Sequence, residues 1–148
     1  QAAAYASFAD EGVYRTARTY TKVTDASGKN IILDNTQNSY PAMKDMTAWY
    51  ITDMLENTVN YGTGYGAKLE NMTVAGKTGT AQKGENITND GIFICFAPVE
   101  DPEIAIAVVI ERGQSGSRCA PVARSILETY FSIKSASDVT ETEGSLLK

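Results

Sequence analysis

The chain has 148 residues, of which 43% are apolar and 21% charged, with 18 acidic against 13 basic residues and a net charge of −5. That length suits a single domain with a true core, and the acidic balance, without a basic patch interleaved with aromatics, excludes nucleic acid as the expected partner. Histidine is absent, which removes the usual general base, the commonest zinc ligand and a Ser-His-Asp triad together.

The opening, QAAAYASFADEGVY, sets Ala4, Phe8 and Val13 near one helical face and stops at Gly12, a good residue for ending a helix. It lacks a basic leader region and starts inside a helix without a cap, as expected of a segment cut from something longer. RTYTKVTDASGKNIILD predicts a hairpin with a loop of several residues, running out through Tyr20 and Val23 and back through Ile31, Ile32 and Leu33. After the polar connector NTQNSYP, a helix is expected from Lys44 or Asp45 to about Asn60, with Thr47 or Asp45 as N-cap. Met46, Trp49, Tyr50, Met54, Leu55 and Val59 recur at helical spacing; Trp49, Tyr50 and the two methionines are expected to pack in the core, and Asp53 and Glu56 to form its solvated face.

The loop YGTGYGAKLENM follows. Its Gly62, Gly64 and Gly66 have the wrong spacing for a dinucleotide fingerprint and follow a helix rather than a strand. Tyr61 and Tyr65 flank it, either lining a cleft or anchoring the loop. Three strands are then expected, Thr73 to Ala81, Gly91 to Ala97 and Glu103 to Glu111, with connections short enough to make them antiparallel neighbours. A helix of about four turns carries Val122, Ile126, Leu127 and Tyr130 on one face. The pattern ends at Phe131, so residues 1–131 read as the folded part and 132–148 as a disordered tail. The sum is an α+β fold, an antiparallel three-strand meander packed with helices.

Cys95 and Cys119 are too few for a disulfide scaffold or a four-cysteine zinc site, and two buried free thiols are expected. No cofactor or metal is implied, and no apolar run is long enough to span a bilayer.

The chemistry concentrates in VAGKTGTAQ, Val74 to Gln82. A phosphate loop needs G-x-x-x-x-G-K-[ST] opening a helix. Five residues before Gly76 stands Asn71, and no helical pattern follows Thr78, so that reading fails at both ends. The alternative sets Lys77, Thr78, Gly79 and Thr80 on a strand, with Lys77 and Gly79 facing one way and the two threonines the other. Lys77 supplies a fixed charge for a carboxylate, Gly79 permits close approach of a substrate backbone, and a main-chain N–H just beyond it suits an oxyanion.

Lys-Thr-Gly belongs, with S-x-x-K and S-x-N, to the motif set of penicillin-binding proteins and β-lactamases, and the chain resembles that family well beyond the tetrapeptide. QAAAYASFADEGV, MLENTVNYGTGYGAKLENMTVAGKTGTAQ, FAPVEDPEIAIAVVIERGQSG and APVARSILETYF are similar in turn to a helix, the motif strand with its approach, the last two strands and the closing helix of a penicillin-binding transpeptidase domain. The class B, monofunctional type is the nearest likeness, and it runs from about Gln1 to Phe131.

The resemblance implies the C-terminal part of a peptidoglycan D,D-transpeptidase of the outer face of the bacterial cytoplasmic membrane. Such an enzyme cross-links stem peptides ending in D-Ala-D-Ala through an acyl-serine and is acylated by β-lactams. Lys77 would hold the substrate carboxylate and tune the S-x-N serine, Thr78 and Thr80 would hydrogen-bond that carboxylate, and the Thr80 amide would form half of an oxyanion hole. Strand alternation requires a twist or bulge to bring one threonine round. The chain has no S-x-N, and its one S-x-x-K, Ser145 to Lys148, follows the closing helix. The segment is therefore expected to be inert alone, to pair with the missing N-terminal part of its domain, and to self-associate through an exposed sheet edge. DGIF at residues 90–93, in place of an aromatic-rich strand entry, departs from the family pattern. Arg112 and Arg118 are wall-polymer contacts or ordinary surface charges. The rival readings are a D,D-carboxypeptidase or β-lactamase relative, and a non-catalytic β-lactam sensor or assembly scaffold.

Overall fold

The computed structural model describes residues 1–145. The first helix, α1 (Ala2–Ala9), ends in a left-handed turn, with φ 50° at Glu11 and 89° at Gly12. The Gly12 N–H donates to the Ser7 carbonyl at 2.8 Å. A Cβ on Gly12 would stand 2.5 Å from the Met43 carbonyl oxygen, so conformation and close approach both demand glycine there.

Two small antiparallel ribbons follow. β1 (Val13–Arg15) pairs with β4 (Ser39–Pro41), and between them in sequence β2 (Lys22–Thr24) pairs with β3 (Ile31–Asp34) as the expected hairpin. Asp25 closes the hairpin turn, accepting from the Ser27 hydroxyl at 2.7 Å and the Asn30 amide at 2.6 Å. Those bonds hold its carboxyl down at about 2.

Next, α2 (Asp45–Tyr61) starts one residue from the expected cap. Lys44 occupies the cap position, while Asp45 accepts the Met46 N–H from within the first turn. Its buried face is only partly the expected one: Leu55 and Val59 belong to the predicted apolar set, and the four larger residues do not join them. Ala48, Leu55 and Val59 are buried, whereas Met46, Trp49, Tyr50 and Met54 are 57–67% exposed. Both stripes are apolar at helical spacing, so periodicity alone cannot rank them. The small Ala48 admits close approach, and the bulky stripe is left outside.

The main sheet has the order β5-β6-β7, from β5 (Ala75–Ala81), β6 (Asp90–Ala97) and β7 (Ile104–Ile110), all antiparallel. One face carries Phe93, Cys95 and Val108 against Cys119, Ala120, Ala123 and Leu127 of the C-terminal segment. On the other, Ala75 and Phe96 pack with Tyr5 and Phe8 of α1. α2 flanks β5 and feeds both cores, Leu55 into the second and Val59 into the first. The closing helix α3 (Ala120–Ser145) runs beyond Phe131. Residues 132–145, read from the sequence as part of a disordered tail, continue it as helix, and Lys134 there reaches the Glu103 carboxylate. Leu146–Lys148, and with them the end of the Ser145 to Lys148 motif match, lie outside the described residues.

Two devices lock the end of the sheet where β5 finishes. A short 3₁₀ turn (Gly116–Arg118) lies against the strands so closely that a Gly116 Cβ would stand 2.2 Å from the Ile92 carbonyl oxygen and 2.5 Å from that of Gly79. Beside it, Asp90 joins three segments: it pairs with Lys83 at 2.7 Å and accepts the Arg112 N–H at 2.8 Å. The bond from Lys83, followed by that from Arg112, lowers its pKa. DGIF therefore replaces the expected entry with an acidic staple.

Gly116→Ala is expected to destabilise the fold by about 3 kcal/mol, because the atoms in its way are backbone and cannot rotate aside; a shifted urea midpoint at unchanged slope measures it. For Asp90, the folded pKa lies below the ordinary 3.8. Its stabilisation is thus complete above that value and is lost as pH falls through the lowered folded pKa. The stability gap between the native protein and Asp90→Asn should be widest near neutrality and close in acid, as followed by thermal unfolding across pH.

Candidate active site

Lys77, Thr78, Gly79 and Thr80 lie consecutively on β5, opposite Ile94, Phe93, Ile92 and Gly91. The strand continues to Ala81 and no helix opens at the lysine, so a phosphate cradle is excluded. The pairing runs from Ala75↔Phe96 to Ala81↔Asp90 without a bulge, and alternation holds throughout. Gly76, Thr78 and Thr80 share the face of Cys95, Phe93 and Gly91, while Ala75, Lys77 and Gly79 share that of Phe96, Ile94 and Ile92.

The two halves of the Lys77 face differ. α1 covers the end at Ala75 and Phe96. Past it, Lys77 is exposed, and in the same rows of the sheet Ala107 and Val109 are exposed. A Cβ on Gly79 would meet nothing nearer than the Ile92 Cβ at 3.5 Å. Because β5 pairs only with β6 in this sheet, a ligand strand running along its outer edge can meet side chains from both faces. No bulge brings either threonine round to the Lys77 face.

Lys77 Nζ donates to the Thr78 carbonyl at 2.5 Å. On the opposite face the Thr78 hydroxyl lies 2.6 Å from that of Thr63. Thr63 sits in the glycine-rich loop and was not among the residues singled out from the sequence, since nothing in local spacing marks a hydrogen bond across fifteen positions of chain. Thr80 is exposed near the end of the strand.

The flanking residues are less involved. Tyr61 and Tyr65 are 84% and 63% exposed, with Lys68 Nζ 5.8 Å above the Tyr65 ring. Asp53 and Glu56 are met by Asn57 and Asn60 of the same helix, as befits a solvated face. Arg112 and Arg118 are both exposed, and Arg112 has φ 55°. Cys95 and Cys119 are free and buried, and burial pushes the Cys95 thiol up to about 12.

Comparison with known proteins gives a consistent result. The family model of the penicillin binding protein transpeptidase domain matches residues 1–128. Penicillin-binding protein 1A of Streptococcus oralis is 42% identical over 93 residues, which is 62% of this chain and 13% of that protein. Peptidoglycan D,D-transpeptidase MrdA of Acinetobacter baumannii is 34% identical over 89 residues, 51% of this chain and 13% of that protein. Among solved structures, the D,D-transpeptidase domain of a peptidoglycan glycosyltransferase from Eggerthella lenta superposes with a TM-score of 0.78 at 34% identity, covering 90% of this chain and 31% of that one. The chain thus spans about an eighth of the curated relatives and a third of the solved domain. On the match of residues 1–128 and the shared fold, this chain belongs to the penicillin-binding protein transpeptidase family.

Proposed function

We propose that these residues form one wall of the active-site groove of a serine D,D-transpeptidase that cross-links peptidoglycan stem peptides and is acylated by β-lactams. The observation that carries it is the half-covered sheet face: a cation and a side-chain-free residue, Lys77 and Gly79, stand on an outer strand just where α1 stops. In this reading Lys77 holds the substrate carboxylate and tunes the protonation of a serine hydroxyl brought to it. Thr78 and Thr80 donate hydroxyl hydrogen bonds to the same carboxylate, and the Thr80 amide supplies half of the oxyanion hole. Gly79 leaves room for the substrate backbone. The attacking serine and its activating lysine come from segments of the domain outside these residues, which have no S-x-N and hold S-x-x-K only at 145–148. No imidazole is required if a lysine takes the serine proton.

Those further segments would cover the exposed Ala107 and Val109 and the exposed stripe of Met46, Trp49, Tyr50 and Met54. The amount of exposed apolar surface supports this, since a self-contained domain rarely leaves so much uncovered. The domain would act on the outer face of the cytoplasmic membrane. No described helix is long and apolar enough to cross a membrane, so attachment would lie elsewhere in the protein. Both relatives named 1A and MrdA match; we retain the monofunctional type on the likeness of the last two strands and closing helix.

A fluorescent penicillin separates the alternatives. The complete domain should form a stable adduct and the 148-residue chain none, while Lys77→Ala in the complete domain should slow acylation about 10- to 100-fold, the worth of one charge-assisted interaction. An adduct on the isolated chain, or a Lys77→Ala domain as fast as its parent, overturns the assignment. A non-catalytic scaffold would instead leave the complete domain unlabelled.

The outer edge of β7 pairs with no other described strand in the sheet and so presents a row of main-chain N–H and C=O groups. The chain alone should therefore dimerise through it as concentration rises, and a monomeric sedimentation profile throughout would exclude that pairing.

A further inference from the structure

The glycine-rich loop after α2 plays no part in the groove as described, although it lies against the middle of the motif strand. Gly62 and Gly64 both donate their N–H groups to the Thr58 carbonyl at 3.1 Å, one on each side of Thr63. The Tyr65 N–H then returns to the Gly62 carbonyl at 3.2 Å. Gly64 is buried, and a Cβ on it would stand 3.2 Å from the Phe93 ring and 3.3 Å from Val59. Phe93 is the residue paired across the sheet with Thr78. The loop therefore seats on a single rung: its second glycine meets Phe93 on β6, and the threonine before it meets Thr78 on β5.

The contact is hydroxyl to hydroxyl at 2.6 Å, with either atom able to donate. A threonine hydroxyl has one proton and two lone pairs. If Thr78 donates to Thr63, its proton is already committed. When Thr63 donates instead, the Thr78 proton is free for an anion, and the two bonds strengthen each other in sequence. A carboxylate accepts only, so its arrival beside Lys77 selects the second arrangement. We propose that Thr63 is a positioning residue: held by Gly62 and Gly64, it donates to Thr78 and so presents the Thr78 hydroxyl proton to the carboxylate of the bound substrate or β-lactam. Gly64 serves this close seating, since a side chain there would press on Phe93 and Val59. This inference rests on the role proposed for Lys77 and Thr78.

The test uses the complete transpeptidase domain that includes this segment, with a β-lactam and the methyl ester that masks its carboxylate. The ratio of their acylation rate constants reports carboxylate recognition. Thr63→Val should lower the acid-to-ester ratio about 5- to 20-fold, as for one hydrogen bond to a charged ligand, and Thr63→Ser should restore it to within about 2-fold. In a Thr78→Val background, Thr63→Val should change the ratio no further. A role confined to loop structure would instead lower both rate constants together along with the melting temperature, and that result overturns the proposal. Thr63→Ala carries the same comparison should valine impair folding. If Lys77→Ala lowers the ratio while Thr63→Val does not, only the role of Thr63 fails. If Lys77→Ala also leaves the ratio unchanged, the carboxylate site itself is refuted.

Discussion

The structure depends on the unbroken pairing of β5 with β6. Seven consecutive partners, from Ala75↔Phe96 to Ala81↔Asp90, leave no bulge in which alternation could reverse. A slip of one residue would turn Lys77 into the α3 core and carry Thr78 out to the opposite face. The two cores on either side of the sheet guard against that slip. Phe93 and Cys95 are fully buried on one side and Phe96 is 1% exposed on the other, so the face each motif residue takes is set by burial of its cross-strand neighbours.

α2 adds a second constraint, because it belongs to neither layer alone. Leu55 enters the core shared with α1, and Val59 enters the core shared with α3. One helix thereby fixes how α1 sits relative to β5 and where the following loop descends toward Thr78. Lys77 to Thr80 are exposed or half-buried, but the elements that hold them are coupled through this shared helix.

Much of this was legible in the sequence, and the remainder has identifiable causes. Strands β5, β6 and β7 stand out because short connections separate strongly β-prone runs, and the Lys-Thr-Gly stretch is specific once its surroundings are considered. The orientation of α2 was legible only in part, through Leu55 and Val59. Trp49 and Tyr50 carry more apolar surface than Ala48, and only tertiary fit shows that the smaller residue faces the sheet. The hydroxyl pair of Thr63 and Thr78 was hidden for a different reason, since its partners are brought together by the descent of a loop and leave no periodic trace. The spacing of the three glycines was visible, but the chemistry it first suggests, phosphate binding, is not what glycine serves there; Gly64 answers to the Phe93 ring. Asp90 shows the converse, where departure from a family pattern marks an alternative anchor and not a defect.

Both thiols lie along the seam between the sheet and α3, Cys95 beneath the helix and Cys119 immediately before it, where its sulfur crowds Gly91. With the Cys95 proton retained up to about pH 12, its sulfur is a poor nucleophile and behaves as one more hydrocarbon-like filler. Burial keeps both sulfurs from an electrophile or oxidant while the seam stays shut. Packing alone thus makes the two cysteines chemically quiet, with burial raising the pKa of both thiols.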